Sequence, residues 1–460
     1  MINGDVRHIS FCFADGNPQD TDNSQFSLLN SQMKNGDTMK VLVIGGGGRE
    51  HAIVKKLKEN KSIAELYCLP GNGGIARDAL CVPISATDLD GIVSFAMEHR
   101  IDFAVVAPDD PLALGAVDRL EAIGVDCFGP RKNAAIIESS KVFAKDLMKR
   151  YGIPTARYEV FESKEPALCY LRSAPMPAVI KADGLALGKG VIIAKTQQEA
   201  EDAVNTMMTE KRFGKSGERI VIEEYLEGPE VSVLTFTDGK TVVPMVSSMD
   251  HKRAGEGDTG PNTGGMGAVA PNPYYNPAVA KRCMETIFLP TIRAMEQEGR
   301  PFKGCLYFGL MLTKDGPKVI EYNCRFGDPE TQVVLPLLKS DLFTIMRAVS
   351  EERLADCPVV FSQDSAVCVI MASKGYPGAY EKGYPISIPA DLSAEVFIAG
   401  AKEKDGSLVT AGGRVLGVTA LEKSLPEALE RAYDAVKQLR FENAYYRRDI
   451  GALALAAKED

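Results

Sequence analysis

The string EYNCRFGDPETQ, residues 321–332, constrains this chain more than any other stretch, because it sets two oxygen ligands, an arginine and two further acids within one strand and the turn after it. Upstream, CLYFGLMLT (305–313) is a run of strand formers, and Lys314, Asp315, Gly316 and Pro317 supply turn chemistry before KVIEYN resumes the extended pattern. The two runs read as antiparallel strands. A period of two sends Ile320, Tyr322 and Cys324 to one face and Glu321 and Asn323 to the other. A hard cation such as magnesium takes one or two protein carboxylates and completes its shell with water and substrate phosphates, so a Glu-x-Asn pair at a strand end suits a nucleotide-metal site. Arg325 adds a planar fork for a carboxylate or phosphate, and the turn Gly327-Asp328-Pro329-Glu330 holds two more acids close by. An isolated Glu-x-Asn is more often a solvated strand end. The whole string favours the site.

With 460 residues and 45% hydrophobic content, the chain can bury a sizeable core and should divide into about three domains. Its net charge of -9 argues against nucleic acid as a general partner, so any anion site must be local. The ten cysteines form no CxxC pair and no His/Cys cluster, and most lie in apolar runs, which reads as reduced core residues of a cytoplasmic protein. No apolar run is long enough to span a membrane, and no secretory signal pattern opens the chain. A monomer acting on small molecules is expected.

Taken in order, residues 1–38 are polar and turn-rich and read as a disordered extension, with Met39 directly before the first convincing strand. KVLVI (40–44) has the continuous apolar character of a buried parallel strand, and Gly45, Gly46, Gly47, Gly48 and Arg49 lead into an amphipathic helix, an arrangement that lets backbone N–H groups and the positive helix end meet an anion. A tight turn between strand and helix is an equal alternative for these glycines alone. Asn72 and Asp109 end later apolar strands at the same carboxyl edge, where turn capping is their simpler role. Residues 133–151 fit one helix carrying Lys141 and Lys145 on a shared face. Lys181 then points from a strand beside a glycine-rich turn, residues 184–190, which suits a lid over a triphosphate, with Gly188, Lys189 and Gly190 at its tip. Backbone groups near Glu223, Glu224, Tyr225 and Leu226 can read a base, and Glu230 can accept from ribose hydroxyls.

KADGLALGKG, IEEYLEG, SSMDHKRAGEGDTGPNTGGMGA and EYNCRFGDPETQ occur in the order found in ATP-grasp enzymes, and together with GGGGREHA, DHKR, GPNTGGMG and RFGDPE they resemble the phosphoribosylamine–glycine ligase family from Met39 to the end. The fold this implies is α/β (α+β, multidomain): a parallel α/β domain for ribose phosphate over 39–138, an ATP-grasp domain over 139–335 with a lid at about 161–230, and a small α+β domain over 366–460. The implied reaction joins glycine to 5-phosphoribosylamine through glycyl phosphate with ATP and Mg2+ or Mn2+, a step of purine biosynthesis. The likeness implies Lys145, Lys181, Glu321 and Asn323 on triphosphate and metal. It puts Gly45–Arg49 and Asn72 on ribose phosphate, and Asp250, His251 and Asn262 among the substrate contacts. Arg325, also a substrate contact, would balance the acyl phosphate, and Lys252, Asp250 and Asp328 join it as catalytic candidates. No general base is assignable between Asp250 and Asp328, and a hydrogen-bonding role suits each better. A related ATP-grasp carboxylase or formate-dependent transformylase is the alternative.

Overall fold

The computed structural model describes residues 38–185, 190–210 and 212–457. The expected extension falls on residues 1–37, outside the described residues, and so do Gly188 and Lys189 of the expected lid. No helix among the described residues is long and apolar enough to cross a membrane.

The first sheet is parallel and five-stranded. Its strands are β1 (Met39–Gly45), β2 (Ile63–Pro70), β3 (Leu80–Cys81), β4 (Phe103–Val106) and β5 (Asp126–Phe128), in the order β3-β2-β1-β4-β5. The run Val41 to Ile44 is wholly buried because β1 is central and both its faces are covered. Leu42 and Ile44 pack into a cluster with Leu147, Phe308 and Tyr322, whereas Val41 and Val43 face Ile53, Phe236, Phe326 and Val333. Helix α1 (Gly48–Lys58) leaves the carboxyl end of β1.

The expected single helix over 133–151 is two, α2 (Lys132–Ser139) and α3 (Lys141–Tyr151). Ser140 breaks it: its backbone is extended at φ −136° and ψ 109°, and its Oγ accepts from the Phe143 N–H as the cap of α3. Asp183 fixes that joint, accepting from the Val142 N–H at 2.8 Å and the Ser140 hydroxyl at 3.0 Å while holding the Arg219 guanidinium.

Two antiparallel sheets follow. β6 (Tyr158–Phe161), β7 (Ala178–Ala182), β8 (Val191–Ala194) and β9 (Ile220–Glu224) take the order β6-β9-β7-β8. The chain then forms β10 (Glu230–Thr237), β11 (Val242–Pro244), β12 (Met249–Asp250), the hairpin of β13 (Arg253–Gly255) and β14 (Thr259–Asn262), and β15 (Gly267–Ala270). It returns as β16 (Gly304–Thr313) and β17 (Gly316–Asn323), which complete the second sheet in the order β11-β10-β16-β17. Thr313 pairs with Gly316, so the turn is Lys314-Asp315 alone, and Gly316, at φ +117°, already belongs to the strand.

One departure from strict alternation matters for the site. Gly309 pairs with Glu321 but Leu310 pairs with Val319, so Ile320 is the extra residue of a bulge. Val319, not Ile320, therefore shares the buried face with Tyr322, while Glu321 and Asn323 keep the opposite, half-buried face.

The last part contains β18 (Ser365–Ser373), β19 (Glu395–Ile398), the hairpin β20 (Ala401–Lys404) and β21 (Ser407–Thr410), β22 (Arg414–Glu422), helix α4 (Leu425–Val436) and β23 (Ala444–Tyr445). Its sheet runs β12-β15-β18-β22-β19, with β23 also on β18. Strand pairing thus ties residues 249–270 to residues 365–422 across the stretch where sequence places a boundary.

Phe308 on β16 is wholly buried, with ring centroids 4.4 Å from Phe288 and 5.5 Å from Tyr322, directly behind the strand that carries Glu321. Phe308→Ala should cost about 3–5 kcal/mol in urea unfolding and Phe308→Leu less than half of that. Equal losses for the two would contradict a packing role.

Candidate active site

The site begins with a buried carboxylate. Glu223, at the end of β9 and 4% exposed, receives Lys145 from α3 at 2.9 Å and Lys181 from β7 at 3.0 Å, one ammonium on each oxygen. The Lys181 pair is close but lacks the alignment of a hydrogen bond. Lys181 donates instead to the Ile320 carbonyl at 3.0 Å, the group exposed at the β17 bulge. Lys145 also donates to the Thr155 hydroxyl. Two cations on one anion leave net positive charge aimed at the second sheet. Burial lowers the Lys145 ammonium to about 8 against the pull of Glu223, and burial lowers that of Lys141 as well.

Glu321 and Asn323 lie together on the open face of β17, as alternation requires. Burial pushes the Glu321 carboxyl up, but Lys252, Lys181, Lys141 and Arg325 together hold it below its ordinary value. Arg325 reaches Asn323 Oδ1 at 3.3 Å and pairs with Glu138 of α2 at 3.1 Å, while its Nε has no partner. Glu138 also accepts from the Cys324 N–H at 2.7 Å, so it anchors the backbone and the side chain of the catalytic loop together. Glu230, Tyr225 and Leu226 stand where β9 passes into β10, with Tyr225 40% exposed and Glu224 tied to Arg157.

The DHKR string enters from the third sheet. Lys252 contacts Glu230 and lies 3.4 Å from Glu321. Asp250 Oδ1 is buried without a partner, and burial with the nearby Glu330 carboxylate pushes its carboxyl well up. Asn262 is half-buried and pairs with Arg253 across the β13–β14 hairpin. His251 has no free group: Nε2 accepts from the Gly451 N–H at 3.0 Å and Nδ1 faces the Gly267 carbonyl. Burial lowers its imidazole to about 4, and it ties the DHKR string to the C-terminal segment. That segment also grips the hairpin tip, with Arg447 on Asp258 and Asp449, and Arg448 on Glu256.

At the glycine loop one backbone donor is already taken. Glu50, 2% exposed, accepts from the Gly47 N–H at 2.6 Å and from Arg49, whose other nitrogen donates to the Phe326 carbonyl. The glycines allow close approach. A side chain at Gly46 would meet the Gly71 carbonyl at 2.5 Å, and one at Gly48 would meet Gln332 at 2.6 Å. Asn72 is likewise committed, donating to Gly46 and Ile398 carbonyls and accepting from the Gly74 and Ile75 N–H groups, so it is a loop tie with no free group for a ligand. Asp328 accepts from Gln332 at 2.6 Å and pairs with Arg414 of β22 at 3.1 Å. Burial works against its charge, but Arg414 and Arg49 hold its carboxyl low. Gly45 ends β1 beside Gly71, at φ +129°, and Gly190 opens the β8 side of the expected lid.

These groups fall into family-defined segments. The phosphoribosylglycinamide synthetase family matches the chain by its N domain over residues 39–138, its ATP-grasp (A) domain over 139–331 and its C domain over 366–453. The chain belongs to this family. It is therefore an ATP-grasp ligase, an enzyme that uses ATP. A phosphoribosylamine–glycine ligase of Caldanaerobacter subterraneus subsp. tengcongensis is 48% identical over 415 residues, covering 90% of this chain and 100% of that one. The trifunctional purine biosynthetic protein adenosine-3 of Homo sapiens is 50% identical over 424 residues, covering 91% of this chain and 42% of that longer protein. The crystal structure of phosphoribosylamine–glycine ligase from Thermotoga maritima aligns with TM-score 0.78 and 35% identity over 90% of this chain and all of that one. The biotin carboxylase domain of Hydrogenobacter thermophilus 2-oxoglutarate carboxylase shares the fold, with TM-score 0.68 and 16% identity over 92% and 94%.

Glu138 and Arg414 were not found by the motif reading. An acid inside the apolar NAAIIES helix was a usable signal for Glu138, whereas nothing local marks Arg414, whose role depends on a strand from another sheet.

The Lys145 ammonium gives the site a pH signature. It is charged below about 8, so affinity for MgADP should fall as pH rises through that value, by up to about tenfold per unit. Glu223→Gln removes the carboxylate that sustains the charge and should move the onset to lower pH in calorimetric titrations. An unchanged onset would contradict the assignment.

Proposed function

We infer that this chain joins glycine to 5-phosphoribosylamine using ATP, giving glycinamide ribonucleotide, ADP and phosphate, a step of purine biosynthesis. The observation that carries the reading is the convergence of Lys181, Lys141, Lys252 and Arg325 on Glu321, a positive cradle around one metal-type carboxylate, in a chain of this family. Glu321 and Asn323 suit Mg2+ or Mn2+, since both present hard oxygen and an ammonium already lies near Glu321. The bound cation would supply charge neutralisation on the triphosphate.

The chain's own residues account for the rest. Lys145 and Lys181 hold the phosphates, with Gly188, Lys189 and Gly190 as the proposed lid above them. The strand edge Glu223, Glu224, Tyr225 and Leu226 receives the base, and Glu230 accepts from ribose hydroxyls. A glycine carboxylate oxygen attacks the γ-phosphorus, ADP leaves, and the amine of 5-phosphoribosylamine then attacks the glycyl phosphate carbonyl and releases phosphate. Positioning and charge balance suffice for such transfer. Arg325, with its free Nε, balances the acyl phosphate. Asp250, buried and unpartnered at Oδ1, is suited to hold an amino group, and Asp328, fixed by Arg414 and Gln332, orients the loop. Asn262 remains a proposed substrate contact. A substrate phosphate at Gly45–Arg49 would share the N-terminus of α1 with Glu50, whose carboxylate holds the Gly47 N–H.

ATP consumption should require glycine and rise strongly with 5-phosphoribosylamine formed from ribose 5-phosphate and ammonia, and neither bicarbonate nor formate should replace glycine. Oxygen-18 in the glycine carboxylate should appear in the released phosphate. Amide product without label transfer would overturn the acyl phosphate route. Glu321→Gln should lower turnover by at least about 10³-fold with the fold intact, consistent with loss of a charge that stabilises phosphoryl transfer.

A further inference from the structure

Lys252 has an arrangement that its grouping with the catalytic residues does not explain. Its Nζ contacts Glu230 Oε1 and lies 3.4 Å from Glu321 Oε1, so one ammonium spans the carboxylate proposed for ribose and the one proposed for metal. Both partners are set by sheet register. Glu230 opens β10 opposite Met311 of β16, and Glu321 on β17 faces Gly309 of the same strand. Gly309 keeps this packing close, since a Cβ there would lie 3.1 Å from Glu321 Cγ, tighter than most real contacts. The Glu230 backbone is tied by Asn272, which donates to its carbonyl at 3.0 Å.

The base of Lys252 is equally fixed. Its carbonyl accepts from both the N–H and the hydroxyl of Thr263 at 2.8 Å. Only the flexible stem can move. Two carboxylates converging in a partly buried site repel unless a cation lies between them. Other cations face Glu321, namely Lys181, Lys141 and Arg325, but Lys181 is shared with Glu223, Lys141 donates to the Gly184 carbonyl and Arg325 pairs with Glu138.

We propose that Lys252 is a built-in counter-ion that occupies the cation position between Glu230 and Glu321 in the nucleotide-free enzyme and excludes a free divalent metal until nucleotide arrives. A ribose hydroxyl donating to Glu230 and a metal on Glu321 each replace one of its contacts. Its charge then becomes available to the transferring phosphoryl group. Nucleotide and metal therefore load together, and a divalent ion without phosphates competes against an ammonium already in place. Lys252 is in this sense a positioning residue for the metal. The inference rests on reading Glu321 as a metal ligand.

The test titrates Mn2+ into the full-length chain and follows free Mn2+ by electron paramagnetic resonance, with and without ADP. Lys252→Met keeps the apolar stem and removes the charge; Lys252→Gln is the second variant, and melting curves verify that each is folded. Without nucleotide, the variants should bind Mn2+ at least tenfold more tightly than the parent chain, and adding Glu321→Gln should abolish the gain. With ADP, and relative to the same Mn2+ and ADP without protein, the parent chain should bind further Mn2+ and Glu321→Gln alone should not. Folded variants that bind Mn2+ no better than the parent without nucleotide overturn the counter-ion role. ADP-dependent binding that survives Glu321→Gln overturns the metal assignment beneath it, so the two failures are distinguishable.

Discussion

The site depends on one buried carboxylate. Glu223 is buried at the end of β9 with Lys145 on one oxygen and Lys181 on the other. Burying two ammonium groups is costly unless each has a partner, and a single shared acid satisfies both while leaving one positive charge uncompensated. That surplus is what a triphosphate can use. It is also directed, because the β17 bulge leaves the Ile320 carbonyl available to Lys181. A bulge that reads as a packing irregularity thereby couples the lysine sheet to the strand of Glu321 and Asn323.

The same logic extends across the loops. Glu138 anchors Arg325 and the Cys324 N–H, and Arg414 reaches from the third sheet to Asp328. The turn after β17 is thus held by polar contacts from two separate parts of the fold. The glycine loop joins this assembly by proximity. Gly47 and Gly48 lie against Asp328 and Gln332, and Glu50 caps the helix end through the Gly47 N–H. An enzyme that must keep a reactive acyl phosphate from water benefits from such interlocking, since misplacement by an ångström costs heavily in rate.

Much of this was legible in the sequence. The hairpin around residues 305–323, the shared face of Glu321 and Asn323 and the buried parallel strand at residues 40–44 all follow from periodicity and turn chemistry. Periodicity failed where a local rule was broken. The bulge moved Ile320 off the face it should share with Tyr322, and Ser140 divided one apparent helix into two. Side-chain commitments were the least visible. His251 and Asn72 carry motif positions, yet every polar group of each is used within the fold. Arg414 could not be found at all, because its partner lies 86 residues away, and it is the tertiary fold that brings β22 of the third sheet to the turn after β17. Local pattern reports what a residue type could do, and tertiary contact decides which of its groups are still free.

In the proposed arrangement Glu321 and Asn323 take the metal, and Lys252 holds that place before nucleotide binds. Crystals grown with Mn2+ and ADP would show the ion directly through its anomalous scattering. The account predicts a peak within bonding distance of a Glu321 oxygen and of Asn323 Oδ1, with the Lys252 ammonium withdrawn from Glu321. A peak coordinated by other protein groups, or a Lys252 still seated between Glu230 and Glu321 beside a bound ion, would contradict it.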